Sequence, residues 1–202
     1  MFAHLLMAAA LLIGGAEPYK GYRKEILQAR RKLDREFRQP QTSPLREAAR
    51  DFTGLAYFEI DPAYYVEARL ERTTDAQPFL MPTSNPQRPK QFVAYGRLHF
   101  TLHGQACTLT VYRNLTLTAA RYADHLFLPF LDETSGFETY GGGRYLDLHT
   151  VAGDTMIIDF NRCYNPYCAY SDGWACPLPP AENALPLRIE AGMQTYREHE
   201  RY

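Results

Sequence analysis

Apolar residues recur at helical spacing near the start of the chain. Between residues 19 and 38, Ile26, Ala29, Leu33 and Phe37 follow one another at intervals of three and four, which places them on one helix face. The same stretch holds eight Lys or Arg residues against three acidic ones. We interpret it as a solvated helix that packs by its apolar stripe. A membrane-surface or partner-binding helix is the alternative interpretation.

Pro40 ends this predicted helix, because proline cannot donate a backbone hydrogen bond within a helix. Ser43 and Pro44 then have the pattern of an N-cap followed by proline at the first helical position. This pattern predicts a second, short helix that continues through about Arg50. We therefore expect residues 17–54 to form a helical segment that packs on the rest of the chain.

From residue 55 onward the hydrophobic pattern has a period of two, which is typical of half-buried strands. The clearest case is a hairpin in which Leu98, Phe100 and Leu102 lead to a tip at His103 and Gly104. Glycine supplies the positive φ that a tight hairpin turn needs. A surface loop is predicted at 75–90, which holds four prolines. Further strands are predicted at 65–70, 126–130, 144–148, 155–160 and 187–189.

No segment of helical period separates these strands. The sequence therefore predicts a mostly β fold, either a β-sandwich or a barrel-like antiparallel sheet, with an N-terminal helical segment. The length of 202 residues favours a single domain. We expect residues 55–202 to be its β-rich part and residues 17–202 to fold as one unit.

The first 16 residues have the pattern of a secretory signal peptide. Residues 5–13 form an uncharged apolar run, and Gly14, Gly15 and Ala16 provide a cleavage site before Glu17. The run is shorter than the roughly 20 apolar residues that span a bilayer. We expect an exported protein, periplasmic or secreted, whose mature chain has no transmembrane span. An apolar N-terminal anchor that is not removed is the alternative.

Composition excludes one class of partner. The chain is 46% hydrophobic and 22% charged, as ordinary globular proteins are. Its 22 Lys and Arg residues are balanced by 23 Asp and Glu residues, which gives a formal net charge of −1. A strongly basic surface for nonspecific nucleic-acid binding is therefore not expected.

Four cysteines are present, and an exported chain meets an oxidising environment. Cys168 and Cys176 are spaced to close a short loop, which favours a disulfide between them. Their spacing differs from the C-x2-C of zinc sites, so we expect no metal there. Cys107 and Cys163 lie in strand-like stretches. We expect them to be either buried thiols or a second disulfide.

A glycine triplet followed by arginine is the first candidate for chemistry. Gly141, Gly142 and Gly143 let the backbone approach another group closely. With Arg144 beside them, the loop can hold a carboxylate or phosphate through N–H groups and a guanidinium. A tight connection between strands is the alternative interpretation.

Two further loops, 159–168 and 176–183, are rich in amides, carboxylates and prolines. We expect them to meet the 138–145 loop and form a preorganised ligand site, although prolines can also simply pin a long loop. The predicted ligand-binding residues are Tyr140, Gly142, Gly143, Arg144, Asp159, Asn161, Arg162, Tyr164, Asn165, Glu182 and Asn183.

Several of these segments resemble one protein family. The stretches Ser43–Leu45, Tyr140–Tyr145, Asp159–Arg162, Tyr164–Pro166 and Cys168, with Cys176–Pro180 followed by Glu182 and Asn183, are similar to the DUF1684 family of bacterial and archaeal domains of unknown function. The resemblance extends over about residues 22–195. Cys163 departs from it, because the family more often has a small residue there.

The resemblance implies no reaction and no catalytic residues. It bears on the cysteines, because family members without a signal peptide carry equivalents of Cys168 and Cys176. In a reducing cytosol such a pair implies thiols or a metal rather than a structural disulfide.

Three functions fit these observations. They leave open whether the protein is an enzyme and whether it uses a cofactor. The first is binding of a small polar or anionic organic ligand at the Gly-Arg loop. The second is a hydrolase that uses a carboxylate pair, Asp159 with Glu138 or Glu182, or a histidine, His125 or His149, as its base. The third is an interaction module of the cell envelope.

Overall fold

The strands of the protein form one antiparallel sheet. The computed structural model describes residues 16–196, with side chains from residue 19 onward. The strands are β1 (Tyr65–Arg72), β2 (Phe79–Met81), β3 (Lys90–Leu102), β4 (Gln105–Asn114), β5 (His125–Phe130), β6 (Arg144–His149) and β7 (Thr155–Asp159). They pair in the order β6-β5-β4-β3-β1-β7, and β2 pairs with β3. The sheet curls into a half-barrel, which confirms the predicted β-rich fold with an N-terminal helix.

The two edge strands, β6 and β7, are linked just beyond the end of β7. There the backbones of Tyr145 and Tyr164 exchange two hydrogen bonds of 2.9 and 3.0 Å. Unpaired strand edges promote association with other chains. This bridge brings the chain that follows β7 back onto β6 and satisfies part of that edge.

Alternation along the strands gives the sheet two apolar faces. On β5, Leu126, Leu128 and Phe130 enter the main core, whereas Phe127 points to the opposite face. We call this second side the outer face. It carries an aromatic cluster of Phe92, Tyr112, Phe127 and Tyr145, on which Tyr164 packs.

The helix α1 (Ala16–Phe37) packs on the rest of the chain through Ile26, Leu33 and Phe37 of the predicted stripe, whereas Ala29 is exposed. Ile26 contacts the cluster around Ile60, and the Phe37 ring lies 4.8 Å from that of Tyr170. Its basic residues Arg31, Lys32 and Arg35 are exposed. No helix within residues 16–196 is long and apolar enough to cross a membrane. The predicted signal peptide lies almost entirely in residues 1–15, outside the described residues, and export stays a prediction.

Two predictions in the β-rich part differ from the structure. The predicted loop at 75–90 contains the short strand β2. The predicted strand at 187–189 is absent, although Leu187 and Ile189 are buried in alternation as a strand would require. The backbone groups of Ile189 bond to the side chains of Asp132 and Arg144 instead of to a neighbouring strand.

The helix predicted after Ser43 begins later than expected. Ser43 Oγ accepts a hydrogen bond from the Leu45 N–H at 3.1 Å, so Ser43 closes a turn. A 3-10 helix then spans Arg46–Asp51. The hairpin prediction is confirmed: His103 and Gly104 have φ of 49° and 78° between β3 and β4.

Gly143 approaches other atoms closely, as predicted, but those atoms belong to the protein. It has a φ of +86°, and a Cβ added to it would lie 2.7 Å from the Phe130 carbonyl oxygen and 2.6 Å from the Pro179 ring. A Cβ added to Gly104, with a φ of +78°, would meet no atom within 4 Å. The two glycines therefore share a backbone conformation but differ in crowding.

We expect Gly143→Ala to destabilise the fold more than Gly104→Ala. Both variants incur the left-handed strain of about 1–2 kcal/mol, and Gly143→Ala adds an overpacking cost of about 1–3 kcal/mol. Urea unfolding followed by circular dichroism measures both free energies. Equal losses in the two variants would contradict the close approach at Gly143.

Candidate functional site

The described residues form a groove of about 1000 Å³. Its lining comes from α1, from the outer face of β3, β5 and β6, and from the loops that follow β7. The volume lies at the upper end of the range of about 300–1000 Å³ that is common for small-molecule sites.

The groove is electropositive although the whole chain is nearly neutral. Five cationic residues line it, and Asp147 is the one acidic residue among the described lining residues. The cationic residues are Arg30, Arg46, Arg88, Lys90 and Arg162. This concentration of one sign of charge favours an anionic occupant.

Arg30 has buried hydrogen-bond donors that the described residues do not use. Its Nη1 donates to the Phe58 carbonyl oxygen at 3.0 Å, and its guanidinium lies 4.3 Å above the Tyr57 ring. Its Nε and Nη2 are buried without a hydrogen-bond partner among the described residues, and so is the Tyr57 hydroxyl. Burial lowers the pKa of Arg30, but an arginine stays protonated in proteins.

A third residue of this lining, Asn165, also has a buried polar atom, Oδ1, without a partner among residues 19–196. The Asn165 Nδ2 donates to the Gln194 carbonyl oxygen at 2.8 Å, which fixes the amide plane. Buried polar groups in folded proteins are almost always hydrogen-bonded. Arg30, Tyr57 and Asn165 therefore give the groove hydrogen-bonding capacity that the fold does not use.

Aromatic rings supply much of the remaining wall. The rings of Tyr167 and Trp174 lie 4.9 Å apart, and Trp174 Nε1 donates to Ser171 Oγ at 2.9 Å. Phe127 and Tyr145 of the outer face also line the groove. Rings of this kind bury large apolar area with fixed orientation.

A histidine, a carboxylate and a tyrosine form a network on the groove lining. Asp147 Oδ1 lies 2.9 Å from His125 Nε2, and the Tyr164 hydroxyl donates to Asp147 Oδ2 at 3.0 Å. Neighbouring β5 and β6 place His125 and Asp147 close together on the outer face. His125, one of the two histidines named as a possible base, thus has a carboxylate partner. His149 also has one, Asp124, at 3.2 Å, but it lies outside the groove lining.

Four of the predicted ligand-binding residues line the groove: Asn161, Arg162, Tyr164 and Asn165. Asn161 is largely occupied, because its side chain bonds to both backbone groups of Asp61 and donates to the Tyr22 hydroxyl. Tyr164 and Asn165 keep polar atoms at the groove wall. Residues 161–167 of the predicted 159–168 loop thus line the groove.

Asp159, a predicted catalytic and binding residue, holds α1 to the sheet. Its carboxylate accepts hydrogen bonds from the Tyr22 hydroxyl at 2.8 Å, Arg162 Nε at 2.9 Å and the Asn161 N–H at 3.1 Å. Burial raises its pKa, and these three donors act in the opposite direction. Its oxygens face protein donors, and Asp159 lies outside the groove lining.

Arg144 is a correction to the predicted anion site. Its side chain is 0% exposed and pairs with Asp132, also 0% exposed, at 3.1 Å. Its two terminal nitrogens also donate to the carbonyl oxygens of Ile189, Ala191 and Met193. A guanidinium buried in this way binds the protein itself, so it cannot take an external anion.

The glycine and tyrosine residues of that loop are also structural. Gly143 packs against Phe130 and Pro179, and Gly142 lies under its neighbour Tyr140. The Tyr140 hydroxyl donates to Cys168 Sγ at 3.6 Å. The alternative interpretation, a tight connection between strands, is the one that fits this loop.

The predicted hydrolytic carboxylates each bond to protein groups, and none of the three lines the groove. Glu138 bonds to Arg188 at 2.6 Å, which lowers the pKa of Glu138, and Glu182 accepts from the Tyr112 hydroxyl at 2.8 Å. Asp159 has the three donors named above. Asn183 is buried. Its side-chain amide bonds to the backbone N–H and carbonyl oxygen of Thr110 and to the Pro129 carbonyl oxygen, so it connects β4 and β5.

The predicted disulfide is absent, because Cys168 and Cys176 are both free thiols. They are nevertheless neighbours: the Cys168 N–H donates to Cys176 Sγ at 3.3 Å. Cys107 and Cys163 are buried free thiols. Within residues 19–196, no group of three or more His, Cys, Asp or Glu residues is arranged to hold a metal ion.

Four residues line the groove but are not among those predicted from the sequence: Arg30, Arg88, Lys90 and Trp174. Arg30 follows Ile26 by four residues and precedes Leu33 by three, so a charge interrupts the predicted apolar stripe. This interruption is a sequence feature from which a role for Arg30 outside the core could have been predicted. The chain's single tryptophan, Trp174, lies in a polar loop and is a second such feature.

The fold and groove define a small-molecule-sized site on a curled antiparallel sheet, and the family follows from the comparisons. Residues 50–194 match the family described as "Protein of unknown function (DUF1684)", and the chain belongs to that family. It is also similar to the solution NMR structure of an uncharacterized protein from gene locus rrnAC0354 of Haloarcula marismortui. The identity is 35% and the TM-score 0.69, over 91% of this chain and 99% of that chain. No curated protein matched.

We expect Arg144→Met to destabilise the fold strongly. The variant leaves the Asp132 carboxylate buried without its cation, which costs about 3–5 kcal/mol. Arg188→Met is the matched control, because Arg188 and its partner Glu138 have side chains 42% and 41% exposed. Thermal and urea unfolding measure both variants. An Arg144→Met protein as stable as the Arg188→Met control would contradict the structural role of this pair.

Proposed function

We propose that this protein binds a small organic anion in the groove, with Arg30 as its main anion-binding residue. The observation that carries the proposal is the pair of Arg30 atoms, Nε and Nη2, buried on the groove lining without a protein partner. These two nitrogens form the edge of a guanidinium that makes two parallel bonds to a carboxylate or phosphate.

Neighbouring groups support the same ligand class. The Tyr57 hydroxyl is a further donor beside Arg30, and Asn165 Oδ1 is an acceptor for a polar substituent. Tyr167 and Trp174 offer ring faces for an organic body. The ligand we propose therefore carries an acidic group joined to an apolar or aromatic part.

We expect removal of the Arg30 charge to abolish most of the anion binding. Wild type, Arg30→Met and Arg31→Met are compared by thermal shift and calorimetry with benzoate, acetate and inorganic phosphate. Arg31 is the matched control, since it is the next residue of α1 but is exposed and lies outside the groove lining. Loss of charge-assisted hydrogen bonds worth about 1.5–3 kcal/mol corresponds to roughly 10- to 100-fold weaker binding.

Benzoate is expected to bind most tightly and to stabilise wild type and Arg31→Met alike. Equal effects of each anion on all three proteins would indicate a general salt effect and contradict the proposal. The same conclusion follows if none of the three anions stabilises the wild type. Tyr57→Phe, which removes only a hydroxyl, is expected to weaken benzoate binding less than Arg30→Met.

Hydrolysis is a second candidate function, favoured by the bond between His125 and Asp147 on the groove lining. Asp147 orients the imidazole through Nε2, and the other ring nitrogen can then take a proton from an attacking water. This hydrolase would use a histidine base instead of the carboxylate pair predicted from the sequence.

We expect His125→Gln to lower any hydrolysis of p-nitrophenyl acetate by at least about 100-fold, the usual contribution of a general base. His149→Gln is the control, because His149 pairs with a carboxylate outside the groove. Rates are measured by release of nitrophenolate. If both variants hydrolyse the ester as fast as the wild type does, the hydrolase candidate fails.

A further inference from the structure

Cys168 and Cys176 differ from the other two cysteines in their surroundings. Cys168 is half-buried, and its Sγ accepts a hydrogen bond from the Tyr140 hydroxyl at 3.6 Å. Cys176 is buried beside it, with its Sγ 3.3 Å from the Cys168 backbone nitrogen. The pair thus places a half-buried cysteine next to a buried one.

Cys107 and Cys163 have no thiol partner. Burial raises the pKa of each, and the Cys163 Sγ donates to the Ala191 carbonyl oxygen at 3.4 Å. Inert buried thiols have this kind of apolar environment. They serve as internal references for the reactivity of the Cys168 and Cys176 pair.

The groups that face the pair favour a thiolate at Cys168. A hydrogen bond from the Cys176 thiol is the main cause that lowers the pKa of Cys168 to about 6, and Tyr140 adds to it. The same contact raises the pKa of Cys176. The other titratable groups that face the pair are Tyr145 and Tyr164 from the outer face and Lys90 from β3. No carboxylate of the described residues is among them.

The loop between the two cysteines is anchored at both ends. Cys176 N–H donates to Ser84 Oγ at 3.0 Å, and Ser84 Oγ donates to the Trp174 carbonyl oxygen at 3.0 Å. The 3-10 turn Tyr167–Ala169 carries Cys168. These anchors keep the two sulfurs adjacent without a covalent bond, so the dithiol form is itself a well-ordered state.

We propose that Cys168 and Cys176 form a redox-active dithiol that reduces small-molecule disulfides, with Cys168 as the nucleophile and Cys176 as the resolving thiol. The Cys168 thiolate attacks one sulfur of a disulfide RSSR, the S–S bond breaks, one thiolate leaves, and a mixed disulfide forms. Cys176 then loses its proton and attacks Cys168 Sγ, which expels the second thiolate. The pair loses two electrons and two protons, and RSSR becomes two RSH.

The test uses the reduced full-length protein with glutathione disulfide as the probe. We expect the wild type to lose two hydrogens by intact mass, with peptide mapping to Cys168 and Cys176. The Cys176→Ser variant is expected to keep one glutathionyl group at Cys168, because it lacks the resolving thiol. Cys107→Ser is the matched control and is expected to react like the wild type. Circular dichroism verifies that each variant is folded.

A second measurement follows alkylation of Cys168 by iodoacetamide against pH. In the wild type the rate is expected to reach half its maximum near pH 6. In Cys176→Ser and in Tyr140→Phe this midpoint should move toward the ordinary cysteine pKa of about 8.5.

Three results would overturn the proposal. The first is that Cys168 reacts no faster than Cys163 in the folded protein. The second is that Cys176→Ser captures no glutathione. The third is that the oxidised pair resists dithiothreitol until the protein unfolds, which would make it a structural crosslink. The proposal does not rest on anion binding at Arg30, because neither cysteine is part of that earlier proposal.

Discussion

The buried ion pair of Arg144 and Asp132 organises the C-terminal half of the molecule. It connects the start of β6 to the turn after β5, and it also binds the extended segment at residues 189–193 through that segment's carbonyl oxygens. Asp132 adds a bond from the Ile189 N–H at 2.7 Å. A buried extended segment without a neighbouring strand would leave backbone groups unpaired, which is costly. Two charged side chains supply partners to Ile189 and Ala191, and Gly192 and Met193 bond to the backbones of Phe58 and Cys163.

The position of this segment determines one wall of the groove. Met193 lies on the groove lining, and its sulfur is 3.3 Å from the Asn165 backbone nitrogen and 3.4 Å from the Tyr170 hydroxyl. One residue earlier, Gly192 packs so closely on Cys163 that a Cβ would lie 2.2 Å from the sulfur. The Gly-Arg loop therefore supports the candidate site from inside the core, although none of residues 141–144 lines the groove.

Sequence reasoning could predict what depends on local periodicity. It located the helix, the hairpin and most strands, because burial on one face imposes a period on each element. The roles of Arg144 and Asn183 depend on which distant backbone groups they meet, and sequence spacing does not carry that information. An arginine beside three glycines has the same local pattern whether its guanidinium faces a ligand or an extended segment 45 residues away. The free thiols of Cys168 and Cys176 likewise depend on the path of the loop between them.

Arg30 differs from Arg144, Arg162 and Arg188 in how its charge is compensated. Arg144, Arg162 and Arg188 each have a carboxylate partner within 3.1 Å, whereas Arg30 has a carbonyl oxygen and a ring face. The chain has 23 acidic residues, and the one on the groove lining, Asp147, bonds to His125 and Tyr164. A buried cation without a counter-charge lowers the stability of a fold. Such local conflicts with stability concentrate at functional sites, and an anionic ligand at Arg30 would resolve this one.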